Sequence, residues 1–172
     1  MLVKIIQQTK KEYKNYSIID IKVEPPLPDN TSDHTRFGVD PGTTKFGLAY
    51  LWRNVCHIYQ VSIRRNPDPV VRILLTQEIM SECLKMFDYA PIMIIEGSSY
   101  GKNYRQTELA EVRASAVLWA ISKGITPKII PPLSIRKQVF GNAKLRAEVE
   151  WELCEYPDAT TALSCAYFCN SL

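Results

Sequence analysis

Between Thr35 and Ile63 the apolar residues fall into three short runs separated by turn-forming residues. Thr35-Arg-Phe-Gly-Val39 reads as a strand stopped by Asp40-Pro41-Gly42, a turn sequence. Phe46 to Trp52 reads as a second strand, and the alternating segment Cys56 to Ile63 as a third, so an antiparallel meander is expected. Asn66-Pro-Asp-Pro69 breaks the chain. From Val70 the period changes, placing Ile73, Met80, Leu84 and Phe87 on one helical face. Pro91-Ile-Met-Ile-Ile95 is a continuous apolar run, the mark of a strand buried on both faces, and it ends at Glu96-Gly97. A second helix is expected from about Arg105 to Lys123, with Leu109, Val112, Ala116 and Trp119 inward and Gly124 as its stop. Pro127 to Pro131 is a short strand, and helical stretches follow from Leu133, from Ala143 and from Pro157 to the end. The expected order is β-β-β-α-β-α-β-α, with right-handed parallel crossovers. Residues 1–34 stand apart as an extension and linker before a domain spanning 35–172: Tyr16 to Val23 can form a strand, and Glu24 to Asp33 is polar and Pro-rich.

Three acids occupy unusual places in this pattern. Asp40 ends an apolar strand, Glu96 ends a buried one, and Asp158 begins a helix rich in small residues. In open α/β sheets, sites form at the carboxyl ends of strands. An unpaired carboxylate is costly to bury there, and a hard divalent cation such as magnesium, which takes carboxylate oxygens, would offset that cost. Taken singly, Asp158 is most simply a helix N-cap or first-turn acid, and Asp40 a turn residue. Glu96 is harder to dismiss, because a proline and four apolar residues lead into it.

Charge sharpens this only a little. The 172-residue chain has 21 basic and 18 acidic residues, a net +3, too mild by itself to establish a nucleic-acid partner. Basic residues do cluster at Arg64-Arg65, at Lys102 and Arg105, and at Arg136-Lys137 with Lys144 and Arg146; a solvated face is the plain alternative for each. The five cysteines form no CxxC pair, which argues against zinc and for reduced thiols. No stretch approaches a membrane span, and Met1-Leu2-Val3-Lys4 does not open a signal peptide, so a soluble cytoplasmic protein is the expectation.

At the level of motifs the chain resembles the RuvC family of Holliday-junction resolvases, within the ribonuclease H-like superfamily. Phe37 to Ala49, Ile94-Ile-Glu-Gly97, Asn103 to Ala120, Ile130 to Gly141 followed by Lys144, and Pro157 to Leu163 resemble five of its motifs in the family's order, over about residues 36–170. The resemblance implies a ribonuclease H-like α/β fold: a mixed five-stranded sheet, antiparallel meander plus parallel strands, with helices on both faces. It implies a magnesium-dependent endonuclease that cuts branched DNA, as in Holliday-junction resolution. Two Mg2+ ions would lie about 3.5–4 Å apart at the scissile phosphate, with Mn2+ able to substitute. Asp40 would bridge them, Glu96 and Asp158 would each complete one shell, and Lys144, or failing that Lys137, would steady the phosphate.

Lys102, Tyr104, Arg105, Arg136, Lys137 and Lys144 are the expected nucleic-acid contacts, with Tyr100 or Tyr104 stacking on a base. A homodimer through the 105–123 helix is also implied. One departure stands out. Where the family has a second late acid, this chain has Thr161, three positions after Asp158 and on the same helical face. That substitution supports one alternative, a non-catalytic nucleic-acid-binding protein of the same fold. An RNA-processing nuclease related to the YqgF group is another. Asp40-Pro-Gly-Thr-Thr44 also resembles the phosphate loop of actin-like ATP-binding proteins, but those require two such lobes.

Overall fold

The computed structural model describes residues 3–24, 35–52, 55–85, 92–98 and 106–168. Period-two alternation sorts the central strands into two faces. On β3 (Arg36–Asp40), β4 (Lys45–Trp52) and β5 (Val55–Ile63), the large residues Phe37, Val39, Phe46, Leu48, Tyr50, Tyr59 and Val61 all join one core. That core is completed by Leu75, Ile79 and Met80 of α1 (Pro69–Leu84) and by Val112, Ala116 and Trp119 of α2 (Gln106–Ser122). The intervening residues Ala49, Leu51, Cys56 and Ile58 join the opposite core, against Ala159, Ala162, Leu163 and Ala166 of α5 (Pro157–Phe168). Helices therefore cover both faces. β6 (Ile92–Glu96) lies parallel to β3, and β7 (Thr126–Ile130) parallel to β6.

The sheet has seven strands, in the order β1-β2-β5-β4-β3-β6-β7, rather than the five expected. The two additions come from the N-terminal extension. β2 (Tyr16–Glu24), whose alternation is legible in sequence, pairs antiparallel with β5 from Tyr16 to Val23. β1 (Lys4–Glu12) folds back on it as an exposed edge strand. Lysines at 4, 10 and 11 charge that edge, a common guard against further strand pairing. The linker residues 25–34 lie outside the described segments.

Two helical expectations need correction. On α1 the buried face is Arg72, Leu75, Thr76, Ile79, Met80, Cys83 and Leu84, with Ile73 only half-buried; Phe87 lies outside the described residues. The face is rotated because Arg72 turns inward. Its Nε donates to Glu111 Oε2 at 3.0 Å, and its Nη1 donates to the carbonyls of Asn66 and Pro67, tying α1 to α2 and to the preceding loop. The helix expected from Ala143 shrinks to α4 (Ala147–Glu150). Gly141 ends α3 (Pro132–Phe140) at φ 75°, and the Asn142 side chain then accepts from the Lys144 amide at 3.0 Å, a local turn that competes with helix.

Candidate active site

Strand register gathers the key side chains into one row. Gln60 on β5 stands opposite Gly47 on β4, and Gly47 stands opposite Asp40 on β3. The parallel pairing Val39 to Ile95 brings Asp40 next to Glu96 at the ends of β3 and β6. All four positions alternate with residues of the α1/α2 core, so all four face α5. Gly47 is the gap in the row: a Cβ there would lie 2.0 Å from the Asp158 carbonyl oxygen. A Cβ at Gly38 would meet the Ala162 carbonyl oxygen at 1.8 Å. The two glycines let the α5 backbone settle directly on the sheet, and its first turn delivers Asp158 between Gln60 and Asp40.

Asp40, Glu96 and Asp158 line one cleft of about 740 Å³, with Arg113 of α2 and Arg136 of α3 on its walls. The Asp40 and Glu96 carboxyls lie against each other at the two strand ends. Asp40 has its pKa raised well above the ordinary carboxylate value, first by burial, then by the negative charge of Glu96 and of Asp158. Glu96 is raised too, chiefly by burial; its contact with Asp40 and the charges of Arg136 and Arg113 pull the other way. Desolvation lowers the Arg113 pKa, opposed by the two acids. The Arg113 side chain also braces the strand end, donating from Nε to the Glu96 carbonyl and from Nη1 to Ser98 Oγ, each at 3.1 Å.

Asp158 does not turn back to cap its own helix. Its Oδ2 accepts from Gln60 Nε2 at 2.5 Å, while Gln60 Oε1 accepts from the Ala159 amide at 3.1 Å. Gln60 went unnoticed in sequence, because a glutamine in an alternating strand reads as a solvent-side residue; its signal was its place in the phase of Cys56 and Ile58, both in the core. Among the described residues, no three His, Cys, Asp or Glu side chains are drawn into a ready-made metal cage. The tight pair is Asp40 with Glu96, and Asp158 is engaged by Gln60.

The remaining expected residues are distributed differently. Lys137 and Lys144 are exposed and do not line the cleft, whereas Arg136 does. Lys102, Tyr104 and Arg105, with Tyr100, lie outside the described residues. Thr161 spends its hydroxyl on its own helix, donating to the Pro157 carbonyl at 3.1 Å. Among the described residues, no helix is long and apolar enough to cross a membrane.

No protein-family model matches the chain, and no curated protein matches it. Solved structures do. A Thermus thermophilus RuvC structure superposes with a TM-score of 0.59 at 17% identity, covering 77% of this chain and 90% of that one. T. thermophilus RuvC in complex with a Holliday junction substrate gives a TM-score of 0.59 at 16% identity, with the same coverages. At such identities the likeness shows the fold: a RuvC-like, ribonuclease H-like mixed sheet flanked by helices.

Proposed function

With the RuvC-like fold as premise, we propose that this protein is a divalent-metal-dependent endonuclease acting on branched DNA, with Holliday-junction resolution as its reaction. The observation that carries the reading is the convergence of Asp40, Glu96 and Asp158, from two strand ends and a helix start, on one arginine-walled cleft. Support for the substrate class comes from the similar RuvC fold solved on a Holliday junction.

The donor set fits a hard cation. Asp40 and Glu96 present neighbouring carboxylates that are buried and repel when both are ionised, which raises their pKa values. Magnesium or manganese, which favour such oxygens, would relieve that cost. Asp40 and Glu96 would hold it with Asp158 alongside, and once bound it would lower the barrier to water's attack on phosphorus and stabilise the departing oxygen. The protein's own part is placement. Strand register sets Asp40 beside Glu96, and Arg113 fixes the Glu96 main chain. Arg136, whose charge faces Asp40 and Glu96 across the cleft, is the side chain best placed to neutralise a bound phosphate. Lys137 and Lys144, being exposed, take the role of backbone contacts outside the cleft. The homodimer belongs to the same proposal: α2 exposes Leu118 and Ile121, apolar residues that a partner copy would cover.

The test is a cleavage panel of four-way junctions, flaps, RNA–DNA hybrids and plain duplexes, with and without Mg2+. Wild-type protein should cut the four-way junction only with the metal. Asp40→Asn should lose cutting by at least about a thousandfold, of the order expected for removing a central catalytic group, yet still bind the junction. Preference for the hybrid would move the assignment to RNA processing. Metal-independent binding without cutting of any substrate would favour the non-catalytic reading, which the Thr161 hydroxyl, turned onto its own helix, supports.

A further inference from the structure

We propose that Gln60 is a positioning residue that caps α5 from across the sheet and thereby releases Asp158 to face the cleft; this rests on the metal-site reading above. An acid in the first turn of a helix is ordinarily drawn to that helix's own unpaired amides. Here the position before Pro157 is Tyr156, whose side chain offers no such cap and instead donates to Gln8 at 3.1 Å. The Ala159 amide is satisfied by Gln60 Oε1 at 3.1 Å, a partner 99 residues away in sequence. The other end of the same carboxamide donates from Nε2 to Asp158 Oδ2 at 2.5 Å.

A primary amide is the group that can do both. It offers one acceptor and one donor arm in a fixed plane, and the two contacts together assign which end is oxygen and which is nitrogen. Gln60 is itself buried, 6% exposed, and sits in the Gln60–Gly47–Asp40 row, so its backbone is fixed by the strand pairing that fixes Asp40. The clamp uses Oδ2 alone. Asp158 thus acquires a set orientation relative to Asp40 from the sheet rather than from its own helix. Residues that orient a metal-binding carboxylate in this way are worth about 10–100-fold in metal affinity.

The experiment is a Mn2+ titration of the full chain, by calorimetry and by the electron paramagnetic resonance of free Mn2+, on wild type, Gln60→Met, Asp158→Ala and the double variant. Gln60→Met should weaken Mn2+ binding at least about tenfold, and should cost nothing further in the Asp158→Ala background, because its effect runs through Asp158. Unchanged affinity in Gln60→Met overturns the inference. So does an equal loss in the Asp158→Ala background, which would mark a general structural role, and so does tighter binding, which would mark a clamp that holds Asp158 away. Wild-type protein that takes up no Mn2+ overturns the metal reading and this inference together. Should Gln60→Met fail to fold, the wild-type side-chain amide resonances of Gln60 decide the matter. They should shift along the diamagnetic Mg2+ binding curve, and resonances that stay fixed through saturation overturn the inference.

Discussion

The two faces of the central sheet meet their helices differently. Toward α1 and α2 the strands present Phe37, Phe46, Leu48, Tyr50 and Tyr59, and the space is filled by bulk. Where β3 and β4 meet α5 they present Gly38, Gly47 and Ala49, met by Ala159, Ala162 and Ala166, and the backbones come together, while Leu51, Ile58, Trp151 and Leu163 fill the rest of that face. Large side chains bury much apolar area and tolerate some repacking. Small ones leave no slack: where a carbonyl lies within 2.0 Å of a missing Cβ, the helix has one place to sit. The acids lie at that small-residue seam. Bulk on both faces supplies stability, and the tight seam supplies the placement that chemistry needs.

Breaking that contrast should have its largest effect at Gly47. Gly47→Ala drives a methyl into the Asp158 backbone, and should cost at least about 3 kcal/mol, the upper end for overpacking. Any folded remainder should have lost cleavage. Ile79→Ala on the other face should cost about 2–5 kcal/mol, yet leave the cleavage rate of folded protein within about twofold of wild type, since no contact of the cleft changes. Chemical denaturation and single-turnover cleavage on the same samples check both. Equal losses of rate from the two substitutions would mean that seam and bulk do not divide their roles as described.

A smaller effect follows from the raised acids. Because Asp40 and Glu96 have folded pKa values above their ordinary ones, the folded state binds more protons than the unfolded state over the interval between the two. Their contribution to stability therefore falls as pH rises from the ordinary carboxylate range, near 4, through the raised folded values. In metal-free buffer the melting temperature of wild type minus that of Asp40→Asn should fall across this window, and saturating Mg2+ should flatten the trend. A difference that rises with pH would mean that the pair is not held protonated. Subtracting the variant matters, because Glu82 and Glu148, with lowered pKa values, gain stability as pH rises.

Much of the fold was legible in sequence, for physical reasons that can be named. β3 and β4 announce themselves as short apolar runs between turn residues, β5 by alternation, and Ile92 to Glu96 by an unbroken apolar run. β1 was invisible because all nine of its residues are exposed, leaving no period to detect. The face of α1 was misphased because a charged residue, Arg72, is buried by its pairing with Glu111, which no hydrophobic pattern encodes. In the cleft, Asp40 and Glu96 were readable as acids at strand ends. Gln60 and Arg113 were not, since each acts through a partner far away in the chain.

The central claim is that Asp40, Glu96 and Asp158 together recruit a divalent cation, and a crystal grown with Mn2+ tests it most directly. Anomalous difference density should show a peak coordinated by oxygens of Asp40 and Glu96, with Asp158 turned toward it. A saturated crystal in which no anomalous peak stands at the cleft floor would contradict the account.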